Sequence, residues 1–99
     1  VIWVGLPIME TEGFSRRMAV QNGIYEEEAA RRQRVEYFNA WALFSEDGRF
    51  SAFLDVEGTP QAVRMTDGVH LTKTGAEMLA RAVLQRIAID APALAPPSD

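Results

Sequence analysis

The sequence predicts an α/β fold built around parallel strands, and three segments carry that prediction. Residues 1–4 form a short apolar run that is closed by glycine and proline. Residues 14–34 repeat apolar side chains at intervals of three and four, which is typical of an amphipathic helix, and residues 35–41 are rich in aromatic residues. Strand, long helix and strand in this order form a βαβ crossover, which places the two strands parallel.

The first segment, Val1-Ile2-Trp3-Val4, is apolar throughout. A run without alternation predicts a strand that is buried on both faces, as in a parallel sheet. Such a strand needs neighbours, so we expect the chain to be a fragment. Its partner would be the missing N-terminal half of the same domain, or its upstream strands would be supplied by another polypeptide. We also expect possible self-association through the unpaired strand edge.

The first predicted helix carries opposite charges at its end. Arg31, Arg32 and Arg34 follow three glutamates at 26–28 by one to two turns, and the net charge of the chain is −4. This pattern indicates a solvated helix face and gives no electrostatic reason to expect nucleic acid. Gly23 is a weak point at which this helix could bend.

The second half of the chain predicts an irregular hairpin and a final helix. Asp47-Gly48 is a turn signal, and residues 50–56 and 61–65, on either side of residues 57–60, are expected to form an irregular hairpin or an extended excursion. The last helix begins near Thr72, capped by that residue or by Thr74 with Glu77, and ends near residue 89. These boundaries give one domain at 1–89, followed by a Pro/Ala-rich disordered tail at 90–99.

Composition excludes several kinds of site. The chain has 99 residues, no cysteine and one histidine. Disulfides, thiolate nucleophiles and thiolate metal sites are therefore excluded, and carboxylates around one histidine are a poor set for zinc, so we expect neither metal nor cofactor. We find no apolar run long enough to span a bilayer, and we expect no signal peptide within these residues.

The most informative feature is Asp67-Gly68-Val69-His70, directly before the last helix. A carboxylate three residues before a histidine can meet it across a tight turn, and Gly68 permits that turn. The carboxylate would then accept the Nδ1 proton and leave Nε2 free as a base. The alternative is a histidine that only caps the helix or lies at the surface.

Residues 67–77, Asp-Gly-Val-His-Leu-Thr-Lys-Thr-Gly-Ala-Glu, resemble the last conserved block of the SGNH/GDSL hydrolases. The segments 3–7 and 35–41 resemble the fourth and fifth strands of that superfamily, and the resemblance covers about residues 1–88. It points in particular to a bacterial branch long catalogued as a domain of unknown function. The fold that it implies is the C-terminal part of a three-layer α/β/α sandwich around a flavodoxin-like parallel sheet.

The resemblance implies that His70 is the general base and Asp67 its orienting acid in a serine esterase. The blocks that hold the nucleophile and the oxyanion hole would lie upstream of Val1, because Ser15, Ser45, Ser51 and Ser98 stand in no matching motif. Relatives of this type act on ester groups, commonly O-acetyl groups of polysaccharides outside the cytoplasm. The resemblance therefore implies an acylated carbohydrate substrate and a periplasmic or extracellular location.

Three residues before or near the aspartate are candidates for a substrate pocket: Phe50, Phe53 and Arg64. Arg64 could contact a polar substrate group or could be a solvated side chain, and we expect the second. The aromatic residues at 3, 37, 38 and 41 are expected to pack in the core rather than to stack on sugars. Two other functions stay open: an O-acyltransferase, or a non-catalytic glycan- or partner-binding module, including an inactive truncation. We expect the isolated chain to be inactive.

Overall fold

The computed structural model of the chain describes residues 1–90. All but the first residue of the predicted tail at 90–99 lies outside these described residues. The elements in chain order are β1 (Ile2–Val4), α1 (Glu12–Ala30), β2 (Glu36–Phe38), α2 (Ala40–Leu43), β3 (Ser45–Glu46), β4 (Arg49–Phe50), β5 (Phe53–Val56), β6 (Thr59–Ala62) and α3 (Lys73–Asp90). The described part is therefore a mixed helix-and-strand structure, with three sheets of two strands each.

Strands β1 and β2 pair in parallel, with Trp3 opposite Tyr37, and helix α1 connects them. The predicted βαβ crossover is confirmed. Its second strand is shorter than the prediction of 35–41, because the side chain of Asn39 accepts a hydrogen bond from the amide of Ala42 and caps α2. Helix α1 ends at Ala30, before the arginines that were expected to close it, and it runs without interruption through Gly23.

The prediction that β1 is buried on both faces is wrong for the described chain. Trp3 and Val4 are each 37% exposed. Strand β1 pairs with β2 alone among the described strands, and α1 covers it through Tyr25, whose ring stacks on Trp3 with the centroids 5.0 Å apart. Among the aromatic residues expected in the core, Phe38 is buried and Tyr37 and Trp41 are half-buried.

Two hairpins separate the crossover from α3. The β3–β4 turn consists of Asp47 and Gly48, and the β5–β6 turn consists of Glu57 and Gly58; all four residues have positive φ. Two central residues with positive φ match the right-handed twist of the strands on either side, which explains why such short loops close these hairpins. The predicted excursion is thus more regular than expected, with β5 and β6 in continuous antiparallel register.

A small apolar core joins these elements. Its buried members are Ile8, Phe38, Ala40, Phe44 and Val63. Helix α3 packs against it through one apolar face that includes Leu79 and Val83. No helix within residues 1–90 combines the length and the apolar character that crossing a membrane requires.

Candidate active site

The segment that links β6 to α3 folds into a tight turn. The amide of Gly68 donates to the Met65 carbonyl at 3.0 Å, and the Met65 amide donates to the His70 carbonyl at 2.7 Å. Gly68 has a φ of +71°, and a Cβ at this position would lie 2.4 Å from the Glu10 carboxylate. Both the backbone conformation and the close approach of Glu10 therefore favour glycine here.

Asp67 is held by this turn through both carboxylate oxygens. Oδ1 accepts hydrogen bonds from the amides of Val69 at 2.9 Å and His70 at 3.0 Å, and Oδ2 lies 2.6 Å from Nδ1 of His70. The hydrogen bond from His70, followed by those two amides, lowers the pKa of Asp67 from 3.8 to about 2. The carboxylate is ionised at neutral pH and can only accept hydrogen bonds.

His70 therefore presents a defined tautomer. With an ionised carboxylate against Nδ1, the ring proton is assigned to Nδ1, and Nε2 of the neutral ring is left as an acceptor. The side chain of His70 is 77% exposed and that of Asp67 is 48% exposed. The pair thus presents an imidazole of fixed orientation at the surface, and the contact anticipated from the Asp-x-x-His spacing is present.

The loop that follows β1, residues 5–10, supports this turn. The amide of Glu10 donates to the Gly68 carbonyl at 3.1 Å. This loop starts at the carboxyl end of a parallel strand, which is the edge at which open α/β sheets place their sites. The turn that carries Asp67 and His70 is therefore bonded to the loop that leaves this edge of the sheet.

Two side chains of α1 hold the loop, and sequence reasoning missed both. Ser15 Oγ accepts from the Met9 amide and donates to the Met9 carbonyl, each at 2.7 Å. Asn22 does the same for Leu6, at 2.7 Å for the amide and 2.8 Å for the carbonyl. Both side chains are buried. The position of Asn22, a polar residue on the apolar face of the predicted helix, could have indicated a buried hydrogen-bonding role. Its partner, Leu6, is too distant in sequence to be inferred.

The described serines do not supply a nucleophile for His70. Each donates its hydroxyl to a main-chain carbonyl: Ser15 to Met9, Ser45 to Trp41 and Ser51 to Phe53. Ser98 lies outside the described residues. Within residues 1–90 no group of three histidine, aspartate or glutamate side chains could hold a metal ion.

The three pocket candidates differ in their surroundings. Phe50 is half-buried and lines an open surface groove beside the β3–β4 turn, together with Glu46, Asp47, Arg49 and Ser51. Phe53 is 59% exposed on β5 and does not line that groove. Arg64 is only 3% exposed, so the expectation that it is a solvated side chain is wrong. Its guanidinium is buried because main-chain carbonyls of the loop and of the turn accept its protons.

Comparison with known proteins identifies a family. No curated protein matches the chain significantly. Residues 1–86 match the family described as protein of unknown function (DUF459), and this match includes β1, the Asp67–His70 turn and most of α3. The chain therefore belongs to the DUF459 family.

Proposed function

We propose that this chain is the base-bearing part of a serine esterase of the SGNH/GDSL type. The observation that carries the proposal is the geometry of one pair: Asp67 Oδ2 lies 2.6 Å from His70 Nδ1, while two amides fix Asp67 Oδ1. An imidazole that is oriented in this way by an ionised carboxylate is the general base of triad hydrolases. The resemblance of residues 67–77 to the last SGNH/GDSL block supports the same assignment.

In the proposed reaction a serine hydroxyl from outside these 99 residues attacks the carbonyl carbon of an ester. Nε2 of His70 takes the hydroxyl proton as the C–O bond forms, and Asp67 stabilises the resulting imidazolium. The tetrahedral intermediate then collapses, the alkoxide leaves with the proton from His70, and the acyl group stays on the serine. Water, activated by the same histidine, releases the acid and restores the enzyme.

The larger fold that we propose is a three-layer α/β/α sandwich with a parallel, flavodoxin-like sheet. The parallel β1–β2 pair and its helical crossover support this proposal, as does the hydrogen bond between the turn and the loop that follows β1. The exposed faces of Trp3 and Val4 would be covered by further strands or helices of that domain.

The substrate class rests on the resemblance alone. We propose an O-acyl ester, in particular an O-acetyl group on a polysaccharide, and a periplasmic or extracellular location. If a sugar hydroxyl replaced water as acceptor, the same Asp67–His70 pair would support O-acyl transfer. Neither reaction requires a cofactor from this chain.

The test is covalent labelling of the full-length protein that contains this domain. We expect a fluorophosphonate to add once per molecule, as measured by intact mass, and His70→Ala or Asp67→Asn to slow labelling and p-nitrophenyl acetate hydrolysis by about 10⁴-fold. Arg81→Gln is the control, since Arg81 forms an exposed ion pair with Glu57 on the β5–β6 turn. Labelling that is absent, or that proceeds normally in His70→Ala, would reject the esterase and favour the non-catalytic binding module.

A further inference from the structure

We propose that Arg64 is a positioning residue that orients the Asp67–His70 pair by holding the peptide between Val69 and His70. This inference rests on the proposed function for its kinetic consequence, but the positioning itself is a structural claim and is tested separately. Within residues 1–90 Arg64 donates no hydrogen bond to the imidazole or to the carboxylate of Asp67. It acts through the main chain.

The first support is the burial of the guanidinium. Arg64 is 3% exposed, and its guanidinium carbon lies 5.2 Å from the ring centre of Phe50 and 5.9 Å from that of Phe44. Arg64 belongs to no ion pair within residues 1–90. Burial lowers the pKa of Arg64, and the nearby negative charge of Asp67 opposes this shift without forming an ion pair. The hydrogen bonds and ring contacts of this side chain must therefore compensate for much of the cost of burying the charge.

The second support is the set of acceptors that the guanidinium N–H groups of Arg64 reach. Nη1 donates to the Ile8 carbonyl, and Nη2 lies 2.7 Å from the Val69 carbonyl and 3.1 Å from the Met9 sulfur. One planar group therefore joins the loop at 5–10 to the turn that carries the pair. Because Ser15 holds Met9 to α1, the loop is itself a fixed support.

The third support is the orientation of a single peptide unit. The Val69 carbonyl accepts from Arg64, and the amide of the same peptide, which belongs to His70, donates to Asp67 Oδ1 at 3.0 Å. The two groups point in opposite directions from one plane. If Arg64 fixes the carbonyl, it also fixes the amide that aims the carboxylate at Nδ1.

Two substitutions separate positioning from bulk and charge. Arg64→Met retains an apolar stem of similar length but removes every donor. Arg64→Lys retains the charge, but an ammonium is a point charge and cannot reproduce the planar fork that reaches both carbonyls. Arg86→Met is the matched control, because Arg86 also lies over a ring, that of Phe38, and its ion pair with Glu36 is remote from the turn in sequence and in contacts.

The experiment measures the Asp67 carboxyl titration by NMR in the full-length protein, together with ester hydrolysis. In both Arg64 variants we expect the Asp67 pKa to rise from about 2 toward its ordinary 3.8, and kcat to fall about 10- to 100-fold with little change in KM. Arg86→Met should leave both unchanged. If Arg64→Met does not fold, Arg64→Lys alone decides the matter by the same two readings.

The possible results distinguish the two proposals. A folded Arg64 variant in which the Asp67 pKa and kcat are both unchanged overturns the positioning role. The same holds if the melting temperature of the variant falls while the Asp67 pKa and kcat stay at their wild-type values. If the titration moves but the wild-type protein shows no histidine-dependent esterase activity, the positioning of the pair stands and the proposed function fails.

Discussion

Replacement of Gly75 by alanine should destabilise this domain, although alanine is the better helix former. Gly75 is buried in the first turn of α3. A Cβ at this position would lie 2.2 Å from the carbonyl oxygen of Val63 and 3.0 Å from its carbonyl carbon. These are backbone atoms, so no side-chain rotation can relieve the overlap.

The expected change in the free energy of unfolding combines the cost of the overlap with the gain in helix propensity. The start of α3 would have to move by roughly 1 Å to restore normal contact distances, which strains the bond from the Thr72 amide to the Val63 carbonyl at 3.0 Å. Overpacking of this kind costs about 3 kcal/mol at its upper end, and the helical preference of alanine returns about 1 kcal/mol. We expect the free energy of unfolding of Gly75→Ala to fall by about 2 kcal/mol.

The assay is urea unfolding, followed by tryptophan fluorescence and circular dichroism and extrapolated to water. Gly23→Ala is the matched control, since Gly23 is exposed within α1 and an added Cβ there would meet nothing within 4 Å. That variant should gain about 0.5–1 kcal/mol. If Gly75→Ala were as stable as the wild type, the close packing of α3 on Val63 would be refuted.

Three further outcomes are expected. Asp67 should titrate with a pKa of about 2, and His70→Ala should raise that pKa toward 3.8 in an NMR titration. The ionised carboxylate contributes its full stabilisation above about pH 4 and loses it as the pH falls through 2. A wild-type Asp67 with an unshifted pKa would contradict the observed geometry. Ser15→Ala should lower the free energy of unfolding by about 1–3 kcal/mol, because it leaves the Met9 amide and carbonyl without partners; chemical denaturation measures this, and an unchanged midpoint would rule it out. Thr72→Val should cost about 1 kcal/mol in the same assay, since the hydroxyl accepts from the amide three residues later at 3.0 Å, and a neutral result would show that the cap contributes nothing.

Features that depend on neighbouring residues were predictable. The Asp67–His70 contact closes over three residues with a glycine between them, and the β3–β4 turn follows from Asp47-Gly48. Of the two proposed caps for α3, the structure has Thr72, whose hydroxyl also donates to the Ala62 carbonyl at 2.7 Å. That second bond joins the cap to β6, which explains the choice of Thr72 and was not visible in the spacing.

Features that depend on distant partners were not predictable. Ile8 is 56 residues from Arg64, and Leu6 is 16 residues from Asn22. Because arginine is rarely buried, its position beside a turn signal favoured a solvated side chain. Only the carbonyls that converge on its guanidinium make the interior position stable.

The sequence by itself determined the crossover, the final amphipathic helix and the oriented Asp67–His70 pair, because periodicity and turn chemistry act over a few residues. Tertiary structure alone decided what supports that pair. The loop after β1, its two clamps from α1 and the buried Arg64 meet at the turn only once the chain has folded. Hydrogen-bonding groups that are far apart in sequence leave no local pattern, since each becomes a partner only through the packing of the whole domain.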